Sequence, residues 1–149
     1  MRKTLQTAED IRRFNRFYLP YFHLLTQKYL NSDYSTAEAR ILYEIYAHGT
    51  VQAREIVQRI HVDKSYLSRI LKKFDARGLI LQESVAEDSR LVAISLTAEG
   101  AALAEQLIDE SNAQVEQGLL GLTEGELDRL SRCMEEIVQI LGGEEHENR

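Results

Sequence analysis

Between positions 63 and 78 the apolar residues recur at the spacing of an amphipathic helix. Leu67, Ile70, Leu71 and Phe74 fall at i, i+3, i+4 and i+7, so they form one stripe that must be buried. At about 100° per residue, small and cationic side chains then occupy the opposite face and its flanks; they are Ser65, Ser68, Arg69, Lys72, Lys73 and Ala76. Asp63 stands at an N-cap position and Gly78 at a left-handed C-cap position, so the segment predicts a helix with a basic exposed face.

After this helix the hydrophobic period changes to two. A short apolar run at residues 79–81 precedes the polar gap 86–90, and Val92, Ile94 and Leu96 then alternate with their neighbours, which predicts two strands joined by an exposed turn. A solvated loop is the alternative interpretation of the gap. Its position directly behind a basic helix favours a wing, in which Arg90 enters the DNA minor groove and Asp88 orients the Arg90 side chain.

Two helices are predicted before the basic one. The capping box Ser35-Thr36-Ala37-Glu38 opens a helix that ends near Gly49, and a shorter helix covers residues 52–60. A tight connection at residues 61–62 joins this shorter helix to the basic one. The pair predicts a helix-turn-helix, with residues 52–60 as the supporting helix and residues 63–77 as the recognition helix.

Further helices are predicted at the two ends of the chain, and the first of them carries an unusually wide apolar surface. Pro20 is expected to kink the first helix, since an interior proline removes a hydrogen bond and clashes with the preceding turn. Thr97 is expected to cap a long helix to about Gly118, and the capping box Thr123-Glu124-Gly125-Glu126 opens a last helix to about Leu141. The apolar residues of the first helix lie on two adjacent stripes: Ile11, Phe14, Tyr18, Phe22 and Leu25, and Phe17, Tyr21 and Leu24. Burial within a larger monomer would explain this surface, but helices at both ends of a central wing favour a homodimer.

Three short motifs carry a resemblance to a known family. Asp88-Ser89-Arg90 matches a D-x-R wing motif, Leu96-Thr97-Ala98-Glu99-Gly100 matches an L-T-x-x-G junction, and Arg77-Gly78-Leu79-Ile80 matches the G-L-[IV] that leads into the wing. In these motifs and in element order, from about Ile11 to about Leu141, the chain resembles the MarR family of winged-helix transcriptional regulators. One departure is visible: family members often carry an Arg shortly after G-L-[IV], where this chain has Leu81-Gln82-Glu83.

The resemblance implies a mainly α winged helix-turn-helix with a two-stranded β-wing and terminal dimerisation helices. We expect one domain over residues 1–149, with residues 35–97 as the DNA-binding lobe and residues 5–30 and 98–142 as dimerisation helices. The expected function is sequence-specific binding of a homodimer to a pseudo-palindromic double-stranded operator, most often for repression. The expected DNA-binding residues are Lys64, Ser65, Tyr66, Ser68, Arg69, Lys72, Lys73, Asp88 and Arg90.

Aromatic residues are concentrated in the first third of the chain. The resemblance places a pocket there, between the dimer helices and the DNA-binding lobe, which in this family often takes small aromatic or phenolic compounds. The candidate ligand-binding residues are Tyr18, Phe22, His23 and Tyr43. The alternative interpretation is that the aromatic residues pack in a core and that His23 is a core histidine with its hydrogen bonds satisfied.

The distribution of charge and the functional motifs of the sequence limit the classes of protein to which the chain can belong. The net charge of −6 is uneven: residues 98–149 carry three Lys/Arg against thirteen Asp/Glu, whereas residues 50–97 carry eight against six. A local field that attracts phosphate is therefore compatible with an acidic chain. The sequence offers no catalytic constellation, cofactor motif, metal-ligand spacing, membrane-length apolar run or signal peptide, so we expect a cytoplasmic protein that is not an enzyme.

Two alternatives to a ligand-released DNA-binding regulator stay open. One is a winged helix that serves as a protein-interaction module. The other is a redox-responsive regulator, since some family members sense peroxides through a Cys near the first helix; here the single Cys is Cys133, expected to be a small core residue of the last helix.

Overall fold

A computed structural model of the chain describes residues 1–25, 28, 32–85 and 88–142, with the side chains of residues 88–90 not described. The elements follow the predicted order of helices around a hairpin: α1 (Arg2–Tyr21), α2 (Thr36–His48), β1 (Thr50–Val51), α3 (Ala53–Ile60), α4 (Lys64–Ala76), β2 (Ile80–Val85), β3 (Asp88–Leu96), α5 (Ala98–Leu119) and α6 (Glu124–Gly142). The predicted mainly α winged-helix fold is confirmed.

Helix α1 ends where a kink was expected. Pro20 lies in the last turn and the helix stops at Tyr21, so the prediction of a kinked helix that continues past Pro20 was wrong. His23 adopts a left-handed conformation, with φ of 57°, and its N–H donates to the carbonyl of Pro20 at 3.1 Å. A left-handed residue just after the last turn is a common way to end a helix, and it directs the chain away from the helix axis.

The helices of the lobe begin at caps that the sequence predicts. Asp63 Oδ1 accepts hydrogen bonds from the backbone N–H groups of Ser65 at 2.8 Å and Tyr66 at 3.0 Å, which satisfies donors that a helix start leaves free. The side chain of Ser35 accepts a hydrogen bond from the N–H of Glu38 at 3.1 Å. Only this half of the predicted capping box forms, because the carboxylate of Glu38 binds a distant residue described below.

A three-stranded antiparallel sheet with the order β1-β3-β2 forms the wing. The hairpin of β2 and β3 is confirmed, with Ile80 opposite Leu96 and Gln82 opposite Ile94. The strand β3 begins at Asp88, within the gap predicted over residues 86–90, and residues 86–87 lie outside the described residues. Strand β1, which local periodicity did not predict, pairs Thr50 with Ser95 and Val51 with Ile94.

The L-T-x-x-G motif is a close junction between the wing and α5. Thr97 donates its hydroxyl to the carbonyl of Gly78 at 2.6 Å and accepts the N–H of Gly100 at 3.0 Å. The N–H of Thr97 donates to the carbonyl of Leu79 at 3.0 Å. A Cβ on Gly100 would overlap with that same carbonyl oxygen of Leu79, so glycine is required for this approach.

The hydrophobic core lies in the lobe. Its fully buried side chains come from the recognition helix and from four helices and strands around it: Ile41, Leu42, Ile45, Val51, Ile56, Leu67, Phe74 and Ile94. Each such side chain contributes about 1.5–3 kcal/mol when removed from water, and together they fix the orientation of α4. By contrast, neither α1 nor α6 has a buried residue.

The chain divides into two compact units, residues 1–113 and residues 114–149. In the second unit Thr123 and Glu126 form the predicted capping box, in which Glu126 Oε2 accepts the N–H of Thr123 at 2.9 Å and the N–H of Glu126 donates to Thr123 Oγ1 at 3.3 Å. The hydrogen bond from the Thr123 backbone lowers the pKa of Glu126, because it favours the carboxylate. The single domain over residues 1–149 stays a prediction.

Candidate nucleic-acid interface

One face of α4 is anchored in the core and the other presents cations to solvent. Leu67, Ile70, Leu71 and Phe74 are buried, as the predicted stripe requires. The opposite face is exposed and consists of Lys64, Ser65, Ser68, Arg69 and Lys72. Short and cationic side chains on a rigid helix can approach a DNA groove closely, and the cations supply attraction to phosphate.

Tyr66 and Arg69 form a pair on this face. The guanidinium carbon of Arg69 lies 5.6 Å from the centroid of the Tyr66 ring, within the range of a cation–π contact. Tyr66 is half-buried and packs against the core, so its ring is a fixed support for an exposed arginine. An arginine held in this way is suited to bidentate hydrogen bonds with guanine in the major groove.

Lys73 differs from the other predicted DNA-binding cations. Its Nζ donates to Glu38 Oε2 at 2.6 Å, and both side chains are largely covered, with 33% of Lys73 and 15% of Glu38 exposed. The sequence places Lys73 beside the exposed face, but the structure gives its ammonium a carboxylate partner on α2. A direct contact between Lys73 and DNA would therefore require this ion pair to break.

A groove between α3, α4 and β2 adds residues that the sequence reasoning missed. It has a volume of about 460 Å³, and an apolar base that includes Val57, Leu67 and Leu71. Its polar side chains come from all three elements: Arg54, Gln58, Lys64, Ser68, Lys72 and Gln82. Arg54 and Gln58 are four residues apart and both exposed on α3, so the polar face of the supporting helix was the signal that could have identified them.

The DNA-binding roles of the wing residues Asp88 and Arg90 stay predictions. Their backbone belongs to β3, and Asp88 pairs with Val85 across the hairpin. Their side chains lie outside the described residues, so the proposed support of Arg90 by Asp88 stays an expectation from the D-x-R motif.

A cavity of about 410 Å³ lies between α2, α5 and the segment after α1. Of the four predicted ligand-binding residues only Tyr43 lines it; Tyr18, Phe22 and His23 do not. The Tyr18 ring is instead stacked on Phe14 with centroids 5.0 Å apart, and is edge-on to Phe22 at 5.1 Å. The polar side chains of the cavity were not predicted from the sequence: Thr36, Arg40, Ser111 and Asn112.

Two features are absent from the part of the chain that the structure describes. Among these residues no helix combines the length and the apolar composition that a membrane span requires. Within the same ranges no cluster of three or more His, Cys, Asp or Glu side chains is placed to bind a metal ion.

The fold and the exposed cations of α4 together define a winged-helix protein with a candidate DNA-binding face. Residues 32–91 match the model of the MarR family. The organic hydroperoxide resistance transcriptional regulator of Bacillus subtilis (strain 168) is 34% identical over 80 residues, which are 54% of this chain and 53% of that protein. The match thus spans about half the length of this relative. The HTH-type transcriptional repressor MdtR of the same organism is 25% identical over 112 residues, which are 75% of this chain and 72% of MdtR.

Solved structures share the fold over most of the chain. FabT of Streptococcus pneumoniae, in complex with DNA, matches with a TM-score of 0.74 and 20% identity over 89% of this chain and 97% of FabT. BpsR of Bordetella bronchiseptica, whose DNA binding is regulated by 6-hydroxynicotinic acid, matches with a TM-score of 0.68 and 20% identity over 89% of this chain and 98% of BpsR.

The match of residues 32–91 to the MarR family model confirms the resemblance that the sequence motifs predicted. The relatives are transcriptional regulators and not enzymes, which agrees with the expectation that this chain is not an enzyme.

Proposed function

We propose that the chain is a homodimeric, sequence-specific DNA-binding transcriptional regulator, most simply a repressor, that acts in the cytoplasm. The observation that carries the proposal is the exposed basic face of α4, held by a buried stripe within a winged helix. Two recognition helices related by a two-fold axis would read a pseudo-palindromic operator. The groove residues Arg54, Gln58 and Gln82 and the wing residues Asp88 and Arg90 would add contacts beside the recognition helix.

Selection of bound fragments from random duplex DNA tests the proposal, followed by measurement of affinity at several salt concentrations. We expect a palindromic consensus and an affinity that falls steeply with salt, by about 0.9 in the log–log slope for each phosphate contact. A protein-interaction module is the competing class. It would enrich no consensus and would show an affinity for duplex DNA that is weak and nearly independent of salt.

Dimerisation is proposed from apolar side chains that the chain itself leaves uncovered. Exposed residues of this kind occur on α1, in the segment just after it, on α6 and in the α5–α6 connection: Ile11, Phe14, Phe17, Leu25, Leu120, Ile137, Val138, Ile140 and Leu141. Apolar surface of this extent on terminal helices is typical of a protein–protein interface.

We expect the chain to be a dimer at micromolar concentration, and truncation after Gly121 to abolish dimerisation or solubility. Removing α6 would delete its part of the proposed partner surface and leave the rest in water. Light scattering of the full and truncated chains measures the difference. A soluble truncated monomer that retains full operator affinity would contradict this interface.

Release from DNA by a small ligand is proposed from the cavity between α2 and α5. Its lining combines apolar side chains with Arg40, Tyr43 and Asn112, which suits an aromatic compound bearing a carboxylate or a hydroxyl group. Redox release is the alternative, and one observation favours it: Cys133 is exposed, so the expectation that it is a core residue was wrong for the single chain. The relative named for organic hydroperoxide resistance gives the same alternative a further reason to be tested.

One gel-shift titration separates the two switches. We expect hydroxylated benzoates to release the natural protein and the Cys133→Ser variant from the operator, and Ser111→Trp, which fills the cavity, to resist release while it still binds DNA. Dilute peroxide is expected to release neither the natural protein nor Cys133→Ser. Release of the natural protein by peroxide, with Cys133→Ser unaffected, would favour the redox switch instead.

A further inference from the structure

The ring of Tyr34 contacts two cations of the recognition helix. Lys73 Nζ and the guanidinium carbon of Arg77 each lie 5.2 Å from the ring centroid. The same ring meets Phe74, the fully buried phenylalanine of α4, edge-on with centroids 6.3 Å apart. A hydrogen bond to the Tyr34 side chain also raises the pKa of Arg77. Tyr34 therefore joins the segment before α2 to the C-terminal half of α4.

Glu38 makes a second connection between the same two elements. Its Oε2 accepts a hydrogen bond from the Nζ of Lys73 at 2.6 Å, and 15% of the Glu38 side chain is exposed. A charge-assisted hydrogen bond to a carboxylate that is largely covered is short and is screened by salt much less than a surface pair. Tyr34, Glu38, Lys73 and Arg77 together form one cluster, which we call the clamp.

The clamp has a direct geometric relation to the base-reading arginine. Arg69, Lys73 and Arg77 are spaced at four residues, so they lie along one side of α4. A rotation of α4 about its axis would move Lys73 and Arg77 away from Tyr34 and would move Arg69 by the same angle. The clamp therefore adds to the buried core in fixing the direction in which Arg69 points.

The other half of the clamp is itself held in place. The N–H of Tyr34 donates to Ser32 Oγ at 3.2 Å, and Ser35 caps α2 through the N–H of Glu38. Immediately beyond Glu38 the helix is buried in the core at Ala39, Ile41 and Leu42. The segment that carries Tyr34 and Glu38 is thus a fixed support for the recognition helix.

We propose that Tyr34 and Glu38 are positioning residues for DNA recognition, and that Lys73 serves as their partner on α4 and does not contact phosphate. This inference rests on the proposed DNA-binding function. It assigns roles to two residues outside the helix-turn-helix and replaces the direct DNA-binding role that the sequence predicted for Lys73.

Glu38→Gln gives the sharpest test, because electrostatics and positioning predict opposite changes in the affinity for the operator. Loss of a negative charge near the DNA-binding face should by itself tighten DNA binding. Loss of the clamp should weaken operator binding, by about tenfold. The matched control is Asp75→Asn, which removes an equal charge from an exposed position of α4 and should leave affinity unchanged or slightly higher. Tighter operator binding by Glu38→Gln would overturn the proposal.

Lys73→Gln separates positioning from phosphate contact. A positioning role predicts weaker binding with an unchanged salt slope, whereas a phosphate contact predicts a slope smaller by about 0.9. In the double variant Glu38→Lys/Lys73→Glu the ion pair is restored in reverse, and we expect affinity within about threefold of the natural protein. A reduced slope for Lys73→Gln, or a double variant as weak as Lys73→Gln, would contradict the clamp.

Hydrogen exchange of the free protein tests the clamp without DNA. Glu38→Gln and Tyr34→Leu should accelerate amide exchange at residues 73–77 more than at residues 64–70, and Asp75→Asn should not. If the natural protein selects no operator, the proposed function is wrong. Hydrogen exchange then still shows whether Tyr34 and Glu38 hold α4 in place. Equal exchange in all variants would rule the clamp out.

Discussion

Replacement of Gly100 by alanine is expected to lower the free energy of unfolding by about 3 kcal/mol, the upper range for an overpacked site. An added Cβ would overlap with the carbonyl oxygen of Leu79 and lie 3.0 Å from the carbonyl carbon. That carbonyl cannot easily move away, because it accepts the N–H of Thr97 at 3.0 Å in the same junction. Accommodation of the methyl group therefore requires displacement of α5 from the wing.

Gly125→Ala is the matched control for this variant. Gly125 lies in the first turn of α6, and a Cβ there would meet nothing within 4 Å. Alanine in a helix is favoured over glycine by about 1 kcal/mol, so we expect unchanged or slightly higher stability. Urea unfolding of both variants and the natural protein at one protein concentration measures the difference. Coincident midpoints for Gly100→Ala and Gly125→Ala would show that the junction is not close-packed.

Arg69→Ala is expected to lower operator affinity by about 1–3 kcal/mol and to relax specificity at one base pair of each half-site. Arg69 is exposed on α4, and its guanidinium group is supported by the half-buried ring of Tyr66 at 5.6 Å. Loss of a bidentate contact to one base removes the contribution of that contact to affinity, and it removes the preference for that base. Competition binding against operators with single base-pair changes measures the two effects together.

Alanine variants of two other cationic residues serve as comparisons for Arg69→Ala. Lys72→Ala should weaken binding to all operators alike and reduce the salt slope by about 0.9, as expected for a phosphate contact. Arg90→Ala should instead reduce the preference for A·T-rich flanks, with Asp88→Ala showing a milder form of the same change. If Arg69→Ala lowers affinity equally for every operator variant, Arg69 contacts phosphate and another residue reads the bases.

Features formed within a few residues could be predicted from the sequence alone. The cap of Asp63 on Ser65 and Tyr66, the buried stripe of α4 and the capping box at Thr123 all arise from groups at most seven positions apart. Helical periodicity and the preferences of capping side chains determine them before any packing takes place. The hairpin of β2 and β3 could also be predicted, because alternating apolar residues on the two sides of a polar gap indicate two neighbouring strands.

The tertiary structure alone decided the features that join distant parts of the chain. Glu38 was expected to complete a local capping box and instead binds Lys73, while Thr50 pairs with Ser95 to add β1 to the sheet. The cavity brings Leu24, Tyr43 and Asn112 together, so three of the four predicted ligand residues fall outside its lining. Periodicity shows which face of an element is buried but not which element covers it, because the partner is chosen by packing of the whole lobe. The same holds for the apolar faces of α1 and α6. The sequence predicts that these faces pack against another surface, and in the single chain their large apolar residues are exposed.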